Sequence, residues 1–174
     1  MNYFEFYKIP LDFKVDEAAL KRIFYTNSKK YHPDFYTLES EEKQAEILEL
    51  STLNNQAYKT LSDFDKRMKY ILELKGILEE EGQNQIPQDL LMEMMDFNEG
   101  LMELEFDFDK ARFEELSRDL EVLEKNLYQD IEEIVENYNE KQSKEKELLQ
   151  IRAYYLKKRY LLRIRENLSK FATR

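Results

Sequence analysis

Cysteine is absent from this 174-residue chain, glycine and proline occur three times each, and histidine once. The lack of cysteine excludes disulfides, thiolate zinc sites, iron–sulfur clusters ligated by the protein's own cysteines, and cysteine nucleophiles. Three Gly and three Pro are too few for the tight turns of a β-sandwich or barrel, so long helices are expected. A phosphate-cradling glycine loop and a histidine metal pair are excluded by the same scarcity, which makes an enzyme the weakest functional class. No stretch approaches the roughly 20 consecutive apolar residues of a spanning helix, so no membrane role is expected. Excess positive charge is also missing: 27 Lys and Arg stand against 37 Asp and Glu, a net of -10, and no nucleic-acid partner is expected. The start, Met1-Asn2-Tyr3-Phe4-Glu5, lacks the basic n-region of a secretion signal and is not an Arg-rich transit peptide, which points to an unprocessed protein of a bacterial cytoplasm.

What is present is charge in blocks. Residues 1–75 carry 12 basic and 13 acidic side chains, residues 76–140 carry 4 and 21, and residues 141–174 carry 11 and 3. A break in helical periodicity falls at Glu79-Glu80-Glu81-Gly82-Gln83-Asn84-Gln85-Ile86-Pro87, where carboxylates, Gly and Pro coincide. This predicts domains at 1–78 and 88–174 joined by a linker at 79–87.

In the first part, Asp16 is suited to cap a helix carrying Leu20, Ile23, Phe24, Asn27 and Tyr31 on one face. That helix must stop near Tyr31, because Pro33 disfavours the helical region at His32. Ser40 opens a second long helix, with Ile47, Leu50, Asn54, Ala57, Tyr58 and Leu61 in a stripe. Two such stripes predict an antiparallel pair. Ser62-Asp63-Phe64-Asp65 has the form of a further helix start, leading to Met68, Ile71 and Leu74 and ending at Gly76.

In the second part, Pro87 opens a helix to about Glu105, and a longer one follows from about Lys110 to Glu140. Its apolar residues Phe113, Leu116, Leu120, Leu123, Leu127, Ile131, Ile134 and Tyr138 recur at the spacing of a bundle helix. The last helix, about Lys144 to Phe171, carries Leu149, Ala153, Leu156, Tyr160, Ile164, Leu168 and Phe171. Because the longer helix is acidic and the last one basic, antiparallel pairing between them would neutralise much of the imbalance.

The single histidine sits in Lys29-Lys30-Tyr31-His32-Pro33-Asp34, after a helix whose outer face carries Lys21, Arg22, Lys29 and Lys30. No nucleophile or second imidazole accompanies it, so catalysis is not indicated. Three features occur in order: Tyr3-Phe4-Glu5 leading to Ile9-Pro10, the His-Pro-Asp turn between two long helices, and Ala57-Tyr58-Lys59-Thr60-Leu61-Ser62-Asp63. Residues 1–75 therefore resemble a J-domain, the module with which co-chaperones engage DnaK-type chaperone ATPases. The resemblance implies that His32, Pro33 and Asp34 trigger ATP hydrolysis on the partner, and that Lys21, Arg22, Lys29 and Lys30 steer association.

The helix after Pro87 is too apolar for one buried face. At about 100° per residue, Leu90, Met94, Phe97, Leu101 and Leu104 fall within roughly 80° of each other and form a core stripe. Leu91, Met95 and Met102 lie about 100° to 140° round from Leu90, with Met92 near 200°, bordered by Asp96, Glu99 and Glu103. This second stripe either packs on another helix of the bundle or forms an exposed, adaptable Met-rich surface for a partner.

A J-domain followed by Pro87-Gln88-Asp89-Leu90-Leu91-Met92-Glu93-Met94-Met95 and a helical bundle resembles the HscB-type iron–sulfur assembly co-chaperones. Arg67-Met68-Lys69-Tyr70-Ile71-Leu72-Glu73-Leu74-Lys75-Gly76 is similar to the segment that closes the J-domain there. The resemblance implies an all-α fold: a J-domain built as an antiparallel helix hairpin plus short helices, then a C-terminal three-helix bundle, in an L-shaped two-domain arrangement. It also implies that the bundle binds an IscU-type cluster scaffold and presents it to a DnaK/HscA-type chaperone, with no cofactor or metal of its own. The matching scaffold-binding positions are Leu91, Met92, Met95, Asp96, Glu99, Met102 and Glu103, with Tyr160 from the last helix. Met102 departs from the family pattern, in which this position is often polar or charged. Two other readings remain open: a general co-chaperone gripping unfolded chains through its methionines, and a structural protein that self-associates, at least as a weak homodimer, through residues 110–171.

Overall fold

The computed structural model describes residues 1–79 and 86–172, and the regular structure among them is entirely helical. The expected linker at 79–87 lies largely outside the described residues. The chain divides into two compact units, Met1–Leu74 with Tyr138–Lys141, and Lys75–Asn137 with Gln142–Arg174.

The first unit begins with a short helix, α1 (Tyr3–Tyr7), that the hydrophobic pattern does not announce. It is held by a capping box in which Glu5 N donates to Asn2 Oδ1 and Asn2 N donates to Glu5 Oε2, both at 2.9 Å. Helix α2 (Glu17–Lys30) starts as expected at Asp16, whose Oδ1 accepts from Ala19 N at 3.0 Å, and it ends just before Tyr31. His32 is extended ahead of its proline, and Pro33–Tyr36 form one 3-10 turn. Helix α3 (Glu41–Leu61) is capped by Ser40. The start of α4 (Phe64–Leu74) differs from the sequence expectation. Asp63, not Ser62, takes the capping bond, from Lys66 N at 2.9 Å. The Ser62 hydroxyl instead donates to the Tyr58 carbonyl at the end of α3. Gly76 follows at φ +66°, the left-handed geometry a helix-ending glycine supplies.

Helices α2 and α3 pack as an antiparallel hairpin. Phe24 stacks on Tyr58 with ring centroids 4.4 Å apart. Between the helices, Asn54 Nδ2 donates to the Phe24 carbonyl and to Ser28 Oγ, both at 3.1 Å, while the Tyr7 hydroxyl donates to Asn54 Oδ1 at 2.9 Å. This buried amide ties α1, α2 and α3 together with its polar atoms partnered, as a buried amide must be. On α4 the buried face is Arg67, Met68, Ile71 and Leu72, and Leu74 stands exposed instead of joining it. Arg67 is buried with carbonyls as its hydrogen-bond partners, and Glu17, Asp63 and Asp12 act on it only through longer-range charge. Its Nε donates to the Phe13 carbonyl at 2.8 Å and its Nη1 to the Leu61 carbonyl, and burial pulls the guanidinium below its ordinary range. The side chain thus ties the loop before α2 to the end of α3.

The second unit is a three-helix bundle of α5 (Gln88–Phe106), α6 (Lys110–Glu136) and α7 (Glu145–Ser169). Short turns make each helix antiparallel to the next, so α5 and α7 run in the same direction. The core face of α5 is Leu90, Met94, Phe97, Gly100 and Leu104. Leu101, expected in that stripe, is only half-buried, and Gly100 occupies the centre of the contact. A Cβ at position 100 would lie 2.8 Å from Leu116 Cδ1, so the glycine is what lets α6 approach. Helix α6 ends at Glu136 rather than near Glu140, with Asn137 as its C-cap. On α7 the buried side chains are Leu148, Ile151, Tyr154, Tyr155, Leu156, Leu161, Ile164 and Leu168. Leu149, expected inside, is exposed, and Ala153 and Tyr160 are half-buried. The displaced stripe follows from packing on two neighbours, which widens the buried face beyond a single heptad line. Charge pairing spans the same helices: Arg165 on α7 forks onto Glu124 on α6, and Lys157 on α7 reaches Asp89 on α5 at 3.5 Å.

Candidate functional site

In the first unit, the break that Pro33 imposes on α2 displays His32, Pro33 and Asp34, all exposed. The turn is held by its own bonds. Asp34 N donates to His32 Nδ1 at 3.3 Å, Phe35 N donates to the His32 carbonyl at 3.1 Å, and the Tyr36 hydroxyl reaches back to the Lys30 carbonyl at 2.7 Å. With Nδ1 accepting, the neutral imidazole carries its proton on Nε2. Lys21, Arg22, Lys29 and Lys30 are all exposed on α2, and Lys30 Nζ lies over the Tyr31 ring, 5.1 Å from its centroid. The result is a cationic helix face leading to a short polar turn, suited to meeting an acidic protein surface. Tyr25, which sequence reasoning did not single out, is an exposed aromatic on the same stretch of helix. Phe35 and Leu38 are exposed beside the turn. A helical wheel centred on the four cations would have found Tyr25; nothing in the motif marks the other two.

In the second unit, the outward face of α5 is apolar. Leu91 is 41% exposed, Met92 and Met95 67%, and Met102 70%. These side chains do not enter the bundle core, so the second stripe is a surface and not a helix contact. Asp96 and Glu99 are exposed at its border with no cationic partner among the described residues. Glu103 is engaged: Arg112 Nε lies 3.3 Å from its Oε2 while the same guanidinium binds Glu115 at 2.9 Å. At the start of α5, Asp89 is held below the usual carboxylate range by the Leu90 backbone N–H and by Lys157. The Lys157–Asp89 contact sets α7 against α5 in a register that puts Tyr160, half-buried, level with Leu91 and Met92. The structure therefore gathers the α5 residues named from sequence on one outward face, with Tyr160 at the height of its first turns.

Two clefts flank this face. One of about 550 Å³, between α5 and α6, is lined by Glu93, Asp96, Glu99 and Asp119 around Phe97 and Val122. The other, about 520 Å³, lies between α5 and α7 beside Leu101, Met102, Glu105, Lys170 and Phe171. Phe106, the last residue of α5, is 96% exposed and was not singled out from sequence. No cluster of His, Asp and Glu suited to hold a metal ion occurs among the described residues. No helix among them is long and apolar enough to cross a membrane.

A relative from Chromobacterium violaceum described as a co-chaperone protein HscB homolog is 30% identical over 132 residues, which are 75% of this chain and 74% of that protein. The chain belongs to the HscB co-chaperone family. Residues 86–169 match the family model described as the HSCB C-terminal oligomerisation domain. The HscB homolog of Vibrio cholerae is 37% identical over 103 residues, covering 58% of this chain and 60% of the relative, so that alignment spans under two thirds of its length. Among solved structures, the human co-chaperone HscB superposes with a TM-score of 0.77 at 26% identity, covering 97% of this chain and 81% of the human one. The HscB structure from Vibrio cholerae gives 0.80 at 23% identity, over 97% and 96% of the two chains, a likeness of fold.

Proposed function

We propose that the chain is an adaptor co-chaperone and not itself an enzyme. Its J-domain-like unit stimulates the ATPase of a DnaK/HscA-type chaperone, and its bundle delivers an IscU-type iron–sulfur scaffold to that chaperone. The division into residues 1–78 and 88–174 corresponds, in this reading, to those two tasks, carried out in a bacterial cytoplasm. The chemistry, ATP hydrolysis, belongs to the partner. His32, Pro33 and Asp34 supply the contact that triggers it, and Lys21, Arg22, Lys29 and Lys30 raise the encounter rate through complementary charge. Leu91, Met92 and Met95, with Met102 and Tyr160, form the apolar centre of the client surface, and Asp96, Glu99 and Glu103 form its polar rim.

The observation that carries this reading is the unburied apolar face of α5, in a bundle whose other long helices bury their main stripes. Contiguous apolar surface left in water and rimmed by charge marks a protein-binding site. Changing Leu91, Met92 and Met95 together to Ala should weaken scaffold binding in calorimetry while helical content stays constant; unchanged affinity would remove the client surface from the account.

The exposed methionines favour one second reading, a general co-chaperone that grips unfolded chains, since thioethers repack around varied partners at little cost. It predicts comparable affinity for unrelated denatured proteins, whereas the adaptor prefers one folded scaffold.

A further inference from the structure

The outward face of α5 does not end where the sequence-derived site ends. At 100° per residue Leu91, Met95, Met102 and Phe106 fall within about 60° of one another, a ridge running roughly 22 Å to the last residue of the helix. Phe106 is the most exposed residue of that ridge, at 96%. The neighbouring Phe108 turns the other way, stacking on Phe171 with centroids 6.3 Å apart and closing the end of the bundle. The two phenylalanines of Phe106-Asp107-Phe108 thus have opposite environments, one in the fold and one in water.

We propose that the client surface extends past Met102, which lines the α5–α7 cleft, to an aromatic anchor at Phe106 about one helical turn further on. Its occupant is an apolar segment of the scaffold client that carries basic side chains. This rests on the adaptor reading above. The chemistry of the occupant follows from charge. Glu99, Glu103, Glu105 and Asp107 surround the anchor, Arg112 is already shared between Glu103 and Glu115, and Lys170 is directed to Asn167 Oδ1 at 3.3 Å. An apolar residue resting on Phe106 and reaching the cleft of about 520 Å³ would place its flanking side chains among these carboxylates, which basic groups satisfy and acidic ones do not.

Binding of a purified IscU-type scaffold to the full chain, followed by calorimetry, tests this with Phe106→Asp and Met102→Glu. Both residues are exposed, so helical content and melting temperature should not change. Each substitution is expected to lower affinity at least fivefold. Affinity of Phe106→Asp within twofold of the parent, while Leu91, Met92 and Met95 changed to Ala weaken binding on the order of 100-fold, would overturn the anchor and leave the adaptor reading intact. Loss from Phe106→Asp with no loss from the triple change would keep the anchor and refute the assignment of the first turns of α5. No change in either overturns both. An equal loss of binding to an unrelated denatured protein would show Phe106 to be generally adhesive and would overturn the stated occupant.

Discussion

The two units expose their proposed contact residues by different physical means. In the first, a proline stops α2 and a few local hydrogen bonds hold His32 and Asp34 in a polar turn beside a cationic helix face. In the second, an unbroken helix carries a surplus of apolar residues, so that after the core stripe is buried Leu91, Met92, Met95 and Met102 remain in water. A turn whose groups are exposed and locally bonded can be altered without touching the core. A ridge on a helix whose opposite face builds the core can be altered only at its outward positions. Function and stability should therefore separate by residue in both units, along different lines.

The largest effect expected on that separation is in client binding. Replacing Leu91, Met92 and Met95 with Ala should lower scaffold affinity on the order of 100-fold, about 1 kcal/mol or slightly less per truncated side chain at an interface centre. ATPase stimulation measured without the scaffold should be unaffected. Next in size is Asn54→Ala, which removes the amide joining α1, α2 and α3 and leaves the Tyr7 hydroxyl only the backbone carbonyl of residue 54, and the Phe24 carbonyl only the Ser28 hydroxyl, as partners outside the helix ladder. A loss of about 2–3 kcal/mol in chemical denaturation is expected, confined to the first unit. Gly100→Val tests the second unit in the same way. The added branches meet Leu116, and overpacking of about 1–3 kcal/mol should appear as a lower melting temperature with the outward ridge unchanged in sequence. Gly100→Ala should cost less, because the helix propensity of alanine offsets part of the clash.

The smallest effect concerns pH. Burial, and after it the neighbouring Tyr58, pushes the Tyr7 phenol above its ordinary range. A raised phenol pKa means that the folded state holds the proton more tightly than the unfolded chain. The associated stability is fully present below the unfolded value of about 10 and is lost as pH rises beyond it. Tyr7→Phe should cost about 1 kcal/mol at neutral pH through the lost bond to Asn54 and should flatten the alkaline decline, read as melting temperature against pH.

Much of this organisation is legible in the sequence because it is encoded locally. Asp16, Ser40 and Pro33 mark their helix ends whatever else the chain does, and the two stripes of α5 follow from spacing alone. The readings that differ from the structure depend on neighbours. Gly100 takes the place of Leu101 in the core because α6 comes close at Leu116, and nothing in α5 itself reveals that approach. Leu149 is outside and Leu148 inside because α7 packs on two helices at once. Leu72 takes the inward place expected for Leu74 on α4 for a comparable reason, since the buried Arg67 sits on the same face and is satisfied by the Phe13 and Leu61 carbonyls outside that helix. Phe106 lies one residue past the end expected for α5 near Glu105, so the wheel drawn from sequence stops short of it although the helix includes it.

In the proposed division of labour the turn acts on the chaperone and the ridge on the client, independently. That independence is tested most directly by measuring one variant, His32→Gln, for both activities: stimulation of a DnaK/HscA-type ATPase and affinity for an IscU-type scaffold. Stimulation is expected to fall to the unstimulated rate while scaffold affinity and melting temperature equal those of the parent chain. Normal stimulation by His32→Gln, or a parallel loss of scaffold binding, would contradict it.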